Sequence, residues 1–170
     1  EGGKGMNVAV LGAGAFGTAL AVALARNGTV MLWARDAAQT AEMQQTRMNA
    51  RRLPGVMLPE NVSVMAKIEE TNSASIVLLA VPAQKLAGFL AEHAGLLDHR
   101  RLIACSKGID IASGRGPLAL IGSACPHAIG ALLTGPSFAA DIAGGLPTAL
   151  TLACRDDSAG AALQARLSTT

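Results

Sequence analysis

The sequence predicts an α/β fold: a doubly wound, mainly parallel sheet with helices on both faces. Three observations predict it. Short β-branched or Leu-rich runs recur along the 170 residues, separated by segments of helical character, which is the signature of βα units. One run, Ile76-Val77-Leu78-Leu79-Ala80-Val81, is apolar at every position, as a central strand covered on both faces must be. The stretch Gly12-Ala13-Gly14-Ala15-Phe16-Gly17 directly follows an apolar run and precedes an amphipathic one, where a strand would turn into a helix.

Seven strands and five helices follow in order. Val8 to Leu11 is the first strand, and Phe16 to Arg26 the first helix, with Phe16, Leu20, Ala23 and Leu24 on one face. Asn27-Gly28 ends it, because glycine tolerates the left-handed conformation after a helix. Val30 to Trp33 is a strand, Ala37 to Met48 a helix, and a loop with Pro54-Gly55 and Pro59 leads to a short strand, Val62 to Met65. Ile76 to Val81 ends at Pro82; Gln84 to His93 is helical, and Leu102 to Cys105 is another wholly apolar strand ending at Ser106-Lys107-Gly108. After a glycine-rich stretch at Gly114 and Gly116, Ala128 to Leu133 and Thr148 to Ala153 read as strands. A short helix from Ser137 to Ala143 lies between them, with Ser137 placed to cap it, and Asp156 to Leu167 is the last helix.

The bulk composition narrows the function. Half the residues are hydrophobic (51%) and 15% are charged, which excludes a disordered tail, and no apolar run reaches a membrane span. A net charge of +2 with one Trp and three Phe argues against nucleic acid. Glu1 to Gly5 reads as a cloning remnant, leaving residues 6–170 as one nucleotide-binding domain. Cys105, Cys125 and Cys154 are odd in number and lack CxxC spacing, so buried, reduced thiols and a cytoplasmic location are expected. His93, His99 and His127 are far apart in sequence and outside the strand-end motifs; a surface role is expected, and no metal. Arg47, Arg51 and Arg52 form the nearest thing to a basic cluster, open to reading as a solvated surface or a phosphate contact.

The glycines carry the chemistry. In a Rossmann-type unit Gly12 permits the tight turn, Gly14 lets the backbone approach a pyrophosphate, and Gly17 lets the helix pack closely on the strand. The free N–H groups at the helix start then face the phosphates. The ribose discriminator belongs at the end of the second strand, where Trp33-Ala34-Arg35-Asp36 stands. Arg35 would pair with a 2′-phosphate and tilts the reading toward NADP(H); Asp36 keeps NAD(H) open. Lys107 ends a buried parallel strand, at the edge where such sheets bind ligands, and its ammonium suits an anionic substrate.

The glycine loop, Asn49 through Leu53-Pro54 to Leu58-Pro59, Ala80-Val81-Pro82, Ser106-Lys107-Gly108-Ile109 and Leu133-Thr134-Gly135-Pro136-Ser137-Phe138-Ala139 line up in that order. Together they resemble the NAD(P)-dependent glycerol-3-phosphate dehydrogenases of bacteria over nearly the whole chain. The resemblance implies hydride transfer between NAD(P)H and dihydroxyacetone phosphate, giving sn-glycerol 3-phosphate for phospholipid synthesis. It implies cofactor contacts from Ala15, Phe16, Arg35 and Ala139, contacts to both cofactor and substrate from Lys107, and substrate contacts from Gly135 and Ser137. It also implies a cytoplasmic homodimer.

Departures from the family pattern are local. Gly28-Thr29-Val30 is one residue shorter than the usual approach to the second strand and lacks a histidine; Ala15 stands where Ser is common, and Arg51 and Arg52 where an aromatic is frequent. In the family a second, helical domain supplies the lysine that moves the proton at the substrate oxygen. This chain reaches only Thr170. Lys4 falls in the remnant, Lys67 in a surface-like segment, and Lys107 is assigned to binding, so no catalytic residue is assigned and negligible turnover is expected of the chain alone. A related hydroxyacid or phosphogluconate-type dehydrogenase, or a non-catalytic nucleotide-sensing module, are the alternatives; Lys107 with Gly135-Pro136-Ser137-Phe138 favours glycerol phosphate.

Overall fold

A computed structural model describes residues 7–169; the expected remnant at residues 1–5, with Lys4, lies outside them. Seven strands form one sheet: β1 (Asn7–Leu11), β2 (Val30–Trp33), β3 (Val62–Met65), β4 (Ala74–Leu79), β5 (Arg101–Ala104), β6 (Ile129–Thr134) and β7 (Thr151–Cys154). Their spatial order is β3-β2-β1-β4-β5-β6-β7. The first six run parallel, and β7 returns antiparallel beside β6. Six α-helices accompany them among the described residues: α1 (Ala15–Leu24), α2 (Ala37–Thr46), α3 (Ala83–Leu97), α4 (Pro117–Ala124), α5 (Ala139–Ala143) and, after β7, α6 (Asp157–Leu167).

Strand periodicity builds two cores. Val8, Val10, Val30, Leu32, Ile76, Leu78 and Ile103 face one side, under Leu20 and Leu24 of α1, Met43 of α2 and Leu163 of α6. Their neighbours Ala9, Leu11, Met31, Trp33, Val77, Leu79 and Leu102 face the other, under Leu86, Leu90 and Leu97 of α3 and Leu120 and Ile121 of α4. Successive residues of a strand point to opposite faces, so a strand covered on both faces must be apolar throughout. Ile76, Val77, Leu78 and Leu79 are all fully buried.

Several boundaries differ from the sequence reading, each for a local reason. β4 begins at Ala74 and ends at Leu79, because Ala80 leaves the ladder after its N–H bonds the Leu11 carbonyl at 2.9 Å, and then walls the glycine loop. β5 and β6 are each shifted by one residue, to Arg101–Ala104 and Ile129–Thr134, and β7 is shorter, Thr151–Cys154. The first helix closes through a 3₁₀ turn, Ala25–Asn27, and Gly28 takes φ +141° and ψ −163°, outside the left-handed well. α2 stops at Thr46 because Arg47 is left-handed at φ 56°. α3 runs to Leu97 rather than His93, since Leu86, Leu90 and Leu97 all need burial on one face. α4 was not expected: Pro117 occupies its first turn, where the missing N–H costs nothing. α5 begins at Ala139 with Phe138 at its N-cap position, so Ser137 lies outside the helix and does not cap it. Asp156 caps α6, accepting from the Ala159 N–H.

Two members of the basic cluster have partners within the protein. The Arg47 guanidinium donates to the Pro59 and Val62 carbonyls, at 2.6 and 2.8 Å, and Arg51 pairs with Glu42 at 3.3 Å. All three cysteines are free thiols; Cys105 and Cys125 are buried and Cys154 is half-buried. No helix among the described residues is long and apolar enough to cross a membrane.

Candidate cofactor and substrate site

In this strand order the crossovers reverse direction between β1 and β4, leaving a crevice at the carboxyl ends of the strands. The glycine loop sits there. Gly12 has φ +116°, its N–H donates to the Trp33 carbonyl at 3.0 Å, and a Cβ on it would strike the Ala80 carbonyl. A Cβ on Gly17 would strike the Gly12 carbonyl oxygen. These two glycines are therefore required by the protein's own packing. Gly14 is different: a Cβ there would meet nothing within 4 Å, so the space above it is open. The first bond of α1 runs from the Thr18 N–H to the Gly14 carbonyl at 3.0 Å. The N–H groups of Ala15, Phe16 and Gly17 precede it and have no partner inside the helix. Open space in front of unspent donors at the positive end of a helix fits a pyrophosphate.

A buried polar network holds this loop, and sequence reasoning missed it. Asn49 Nδ2 donates to the Ala13 carbonyl at 2.9 Å and to Thr18 Oγ1 at 2.8 Å. Gln39 Nε2 donates to the same carbonyl at 3.0 Å and to Asn49 Oδ1 at 3.1 Å. Asn49 and Thr18 are both only 1% exposed. The one available signal was the place of Asn49 at the head of a segment that carries the family resemblance; its partner lies 36 residues away, beyond any periodicity.

Arg35 lies exposed two residues past the end of β2, at the expected rim position. Asp36 beside it is committed locally. Its Oδ1 accepts the N–H groups of Ala38 and Gln39, at 2.8 and 3.0 Å, as the cap of α2. The bond from the Gln39 N–H, then that from Ala38, holds the carboxyl below its ordinary range.

The expected substrate residues meet at the ends of β5 and β6. Lys107 Nζ donates to the Gly135 carbonyl at 3.3 Å. Gly135 sits at φ +150° against Ala149 and Leu150, where a Cβ would crowd Leu150 Cδ2 at 3.1 Å. Ser137 Oγ and Ser106 Oγ are buried atoms without a hydrogen-bond partner among the described residues. A buried hydroxyl costs free energy unless something bonds it, and two such groups flanking Lys107 and Gly135 suit a polar ligand. Ser106 is a second residue that the sequence reading passed over. Lys85 is a third: it is exposed in the first turn of α3, just after the carboxyl end of β4. α5 ties the two halves together, because Phe16 and Ala139 pack in one cluster with Ala19, Leu53 and Ile142.

The comparisons with known proteins agree with this geometry. Residues 7–160 match the profile of the family described as NAD-dependent glycerol-3-phosphate dehydrogenase N-terminus. A relative from Paracoccus denitrificans named glycerol-3-phosphate dehydrogenase (NAD(P)+) is 59% identical over 164 residues, which are 96% of this chain and 50% of that protein. One of the same name from Ruegeria sp. is 56% identical over 164 residues, covering 96% of this chain and 51% of the relative. The chain thus spans about half the length of the curated relatives it matches. A crystal structure of glycerol-3-phosphate dehydrogenase from Coxiella burnetii superposes with a TM-score of 0.90 at 30% identity, covering 97% of this chain and 51% of that one.

Proposed function

The chain belongs to the NAD-dependent glycerol-3-phosphate dehydrogenase N-terminal family, and on that premise we propose that it is the cofactor-binding half of an enzyme reducing dihydroxyacetone phosphate to sn-glycerol 3-phosphate. The hydride passes from NAD(P)H to the carbonyl carbon and a proton joins the carbonyl oxygen, leaving NAD(P)+. The observation that carries this reading is the contact of Lys107 with the Gly135 carbonyl, which puts a cation beside two unpartnered hydroxyls on the same sheet edge as the glycine cradle.

The residue roles follow. Gly12, Gly14 and Gly17 shape the cradle, and the N–H groups of Ala15 and Phe16 receive the pyrophosphate; Ala139 flanks the cofactor from α5. Lys107 meets both ligands as a point charge, while the Gly135 backbone and the Ser137 hydroxyl bond the substrate. Arg35 takes the adenosine ribose, and because Asp36 is spent on capping α2, NADP(H) is the better fit. The whole protein works as a cytoplasmic homodimer: the free thiols support a reducing compartment, and the dimer is what the family resemblance implies. The domain is residues 6–170, and the 170-residue chain alone turns over substrate negligibly, with none of its residues assigned to move the proton.

Titrating NADPH and NADH against the chain and against Arg35→Ala tests the cofactor half. A charge-assisted pair to a 2′-phosphate is worth roughly 1.5–3 kcal/mol, so at least about a tenfold selective loss of NADPH affinity is expected. Equal loss for both cofactors would remove the 2′-phosphate contact. For the substrate half, calorimetric binding of glycerol 3-phosphate to the cofactor-loaded chain should disappear in Lys107→Ala; unchanged binding would refute that role. A clear NADPH-dependent reduction of dihydroxyacetone phosphate by the chain itself would show that the proton-moving group is already present.

A further inference from the structure

The opposite rim of the sheet holds a cluster that the dehydrogenase chemistry leaves unused. Asp98 ends α3, His99 follows it, and His127 stands just before β6, so two segments meet at the amino ends of β5 and β6. Each of the three offers a donor atom, and all these atoms lie within 4.8 Å of one another, the only grouping of its kind among the described residues. Asp98 Oδ1 accepts the backbone N–H of His127 at 2.9 Å, which fixes the carboxylate and leaves Oδ2 against His127 Nδ1 at 2.8 Å. The rings of His99 and His127 lie nearly parallel with centroids 4.7 Å apart.

We propose that Asp98, His99 and His127 form a binding site for a divalent transition-metal ion, of which Zn2+ is the natural representative. Two imidazoles with one carboxylate are the donor set that such ions select, and water can complete the fourth position. Bonds of about 2.0–2.2 Å put the donors of a tetrahedral ion roughly 3.4 Å apart. The present spacing therefore closes with small side-chain rotations that fan the two rings. The site is accessible, with His127 64% exposed and Asp98 20% exposed at the side chain. Its donor set suits a cation, since Asp98 brings a carboxylate and the two imidazoles bring neutral nitrogens.

The surrounding groups do not compete. Arg100 is drawn aside, donating to the Thr71 carbonyl at 3.1 Å and to Asn72 Oδ1 at 2.6 Å. His99 is held in place for the role by its turn, at φ 68°, a region that His enters more readily than most residues. Because the ligands come from the end of α3 and the approach to β6, a bound ion would staple that rim, and binding to the native state alone raises the unfolding temperature.

The test uses the full chain with ZnCl2 and CoCl2. Calorimetry should give one Zn2+ per chain, Co2+ should develop visible absorption, and Zn2+ should raise the melting temperature. His127→Gln and Asp98→Asn should each weaken binding by about tenfold or more, and the double variant His99→Asn/His127→Gln should abolish it. Asparagine is chosen at 99 because it also tolerates the left-handed backbone. In the unaltered protein, substoichiometric Cu2+ should broaden the imidazole signals of His99 and His127 and spare those of His93, a readout independent of any variant's folding. Absence of saturable Zn2+ binding up to about 1 mM, the millimolar limit of weak association, would overturn the proposal. So would Zn2+ binding that survives in the double variant, or Cu2+ broadening that spares His99 and His127.

Discussion

Asn49 shows how one side chain can carry a loop built elsewhere. Its amide bonds two groups of the cradle and is itself bonded by the half-buried Gln39, while Asn49 and Thr18 are out of contact with water. Asn49→Ala leaves Thr18 and part of the Ala13 carbonyl's bonding unsatisfied, so a loss of about 2–3 kcal/mol is expected in urea unfolding, with weaker NADPH binding in titration. Gly17→Ala should be harsher on binding than Gly14→Ala, since only the former drives a methyl into the Gly12 carbonyl; equal effects would contradict that packing. Cys105 offers a chemical check. Burial pushes its thiol up to about 12, so it should resist alkylation at pH 8 in the folded chain while the half-buried Cys154 reacts first, as peptide mapping would report. At this scale motif spacing made legible where the glycines, Arg35, Lys107 and Ser137 stand in the fold. Asn49 and Ser106 were not, because their importance lies in what folding brings beside them or fails to bring.

Among the elements, α3 and α4 cover one face of the sheet and show two ways a helix can be misread. α3 extends past Gly95 because Leu97 is fully buried; tertiary burial outweighs the modest helix cost of a glycine. α4 was hidden by the glycines around it, yet Pro117 followed by Leu118, Leu120 and Ile121 is a start signal in its own right. Leu90→Ala, in the middle of α3 and fully buried, should destabilise by roughly 2–5 kcal/mol through lost contacts and a cavity; a urea midpoint within error of the unaltered chain would mean that α3 is not anchored there. Strands were easier, since a run apolar at every position admits few alternatives over four to six residues. Their ends were not, because the last ladder bond depends on the neighbouring strand.

For the molecule as a whole, acid should be more harmful than mild alkali. Asp36 and Asp98 are both held below the ordinary carboxylate value by hydrogen bonds, Asp36 chiefly from Gln39 and Asp98 chiefly from His127. The unfolded chain, with ordinary carboxyls, binds more protons as pH falls through about 4, so stability present above that range is lost below it. Urea midpoints at pH 7 and pH 3.5 should differ in that direction, and Asp36→Asn should lessen the difference.

The bonds that shape the glycine loop also fix an order of assembly. Gly12 donates to Trp33, Ala13 accepts from Asn49, and Leu11 accepts from Ala80, so the loop is finished by segments made progressively later during synthesis. A nascent chain that has emerged only as far as α1 possesses the motif but has none of the partners that set its shape. Competence to hold a dinucleotide therefore arrives only once residue 80 has docked, and a peptide ending before Trp33 should show no measurable NADPH binding however well it displays its three glycines.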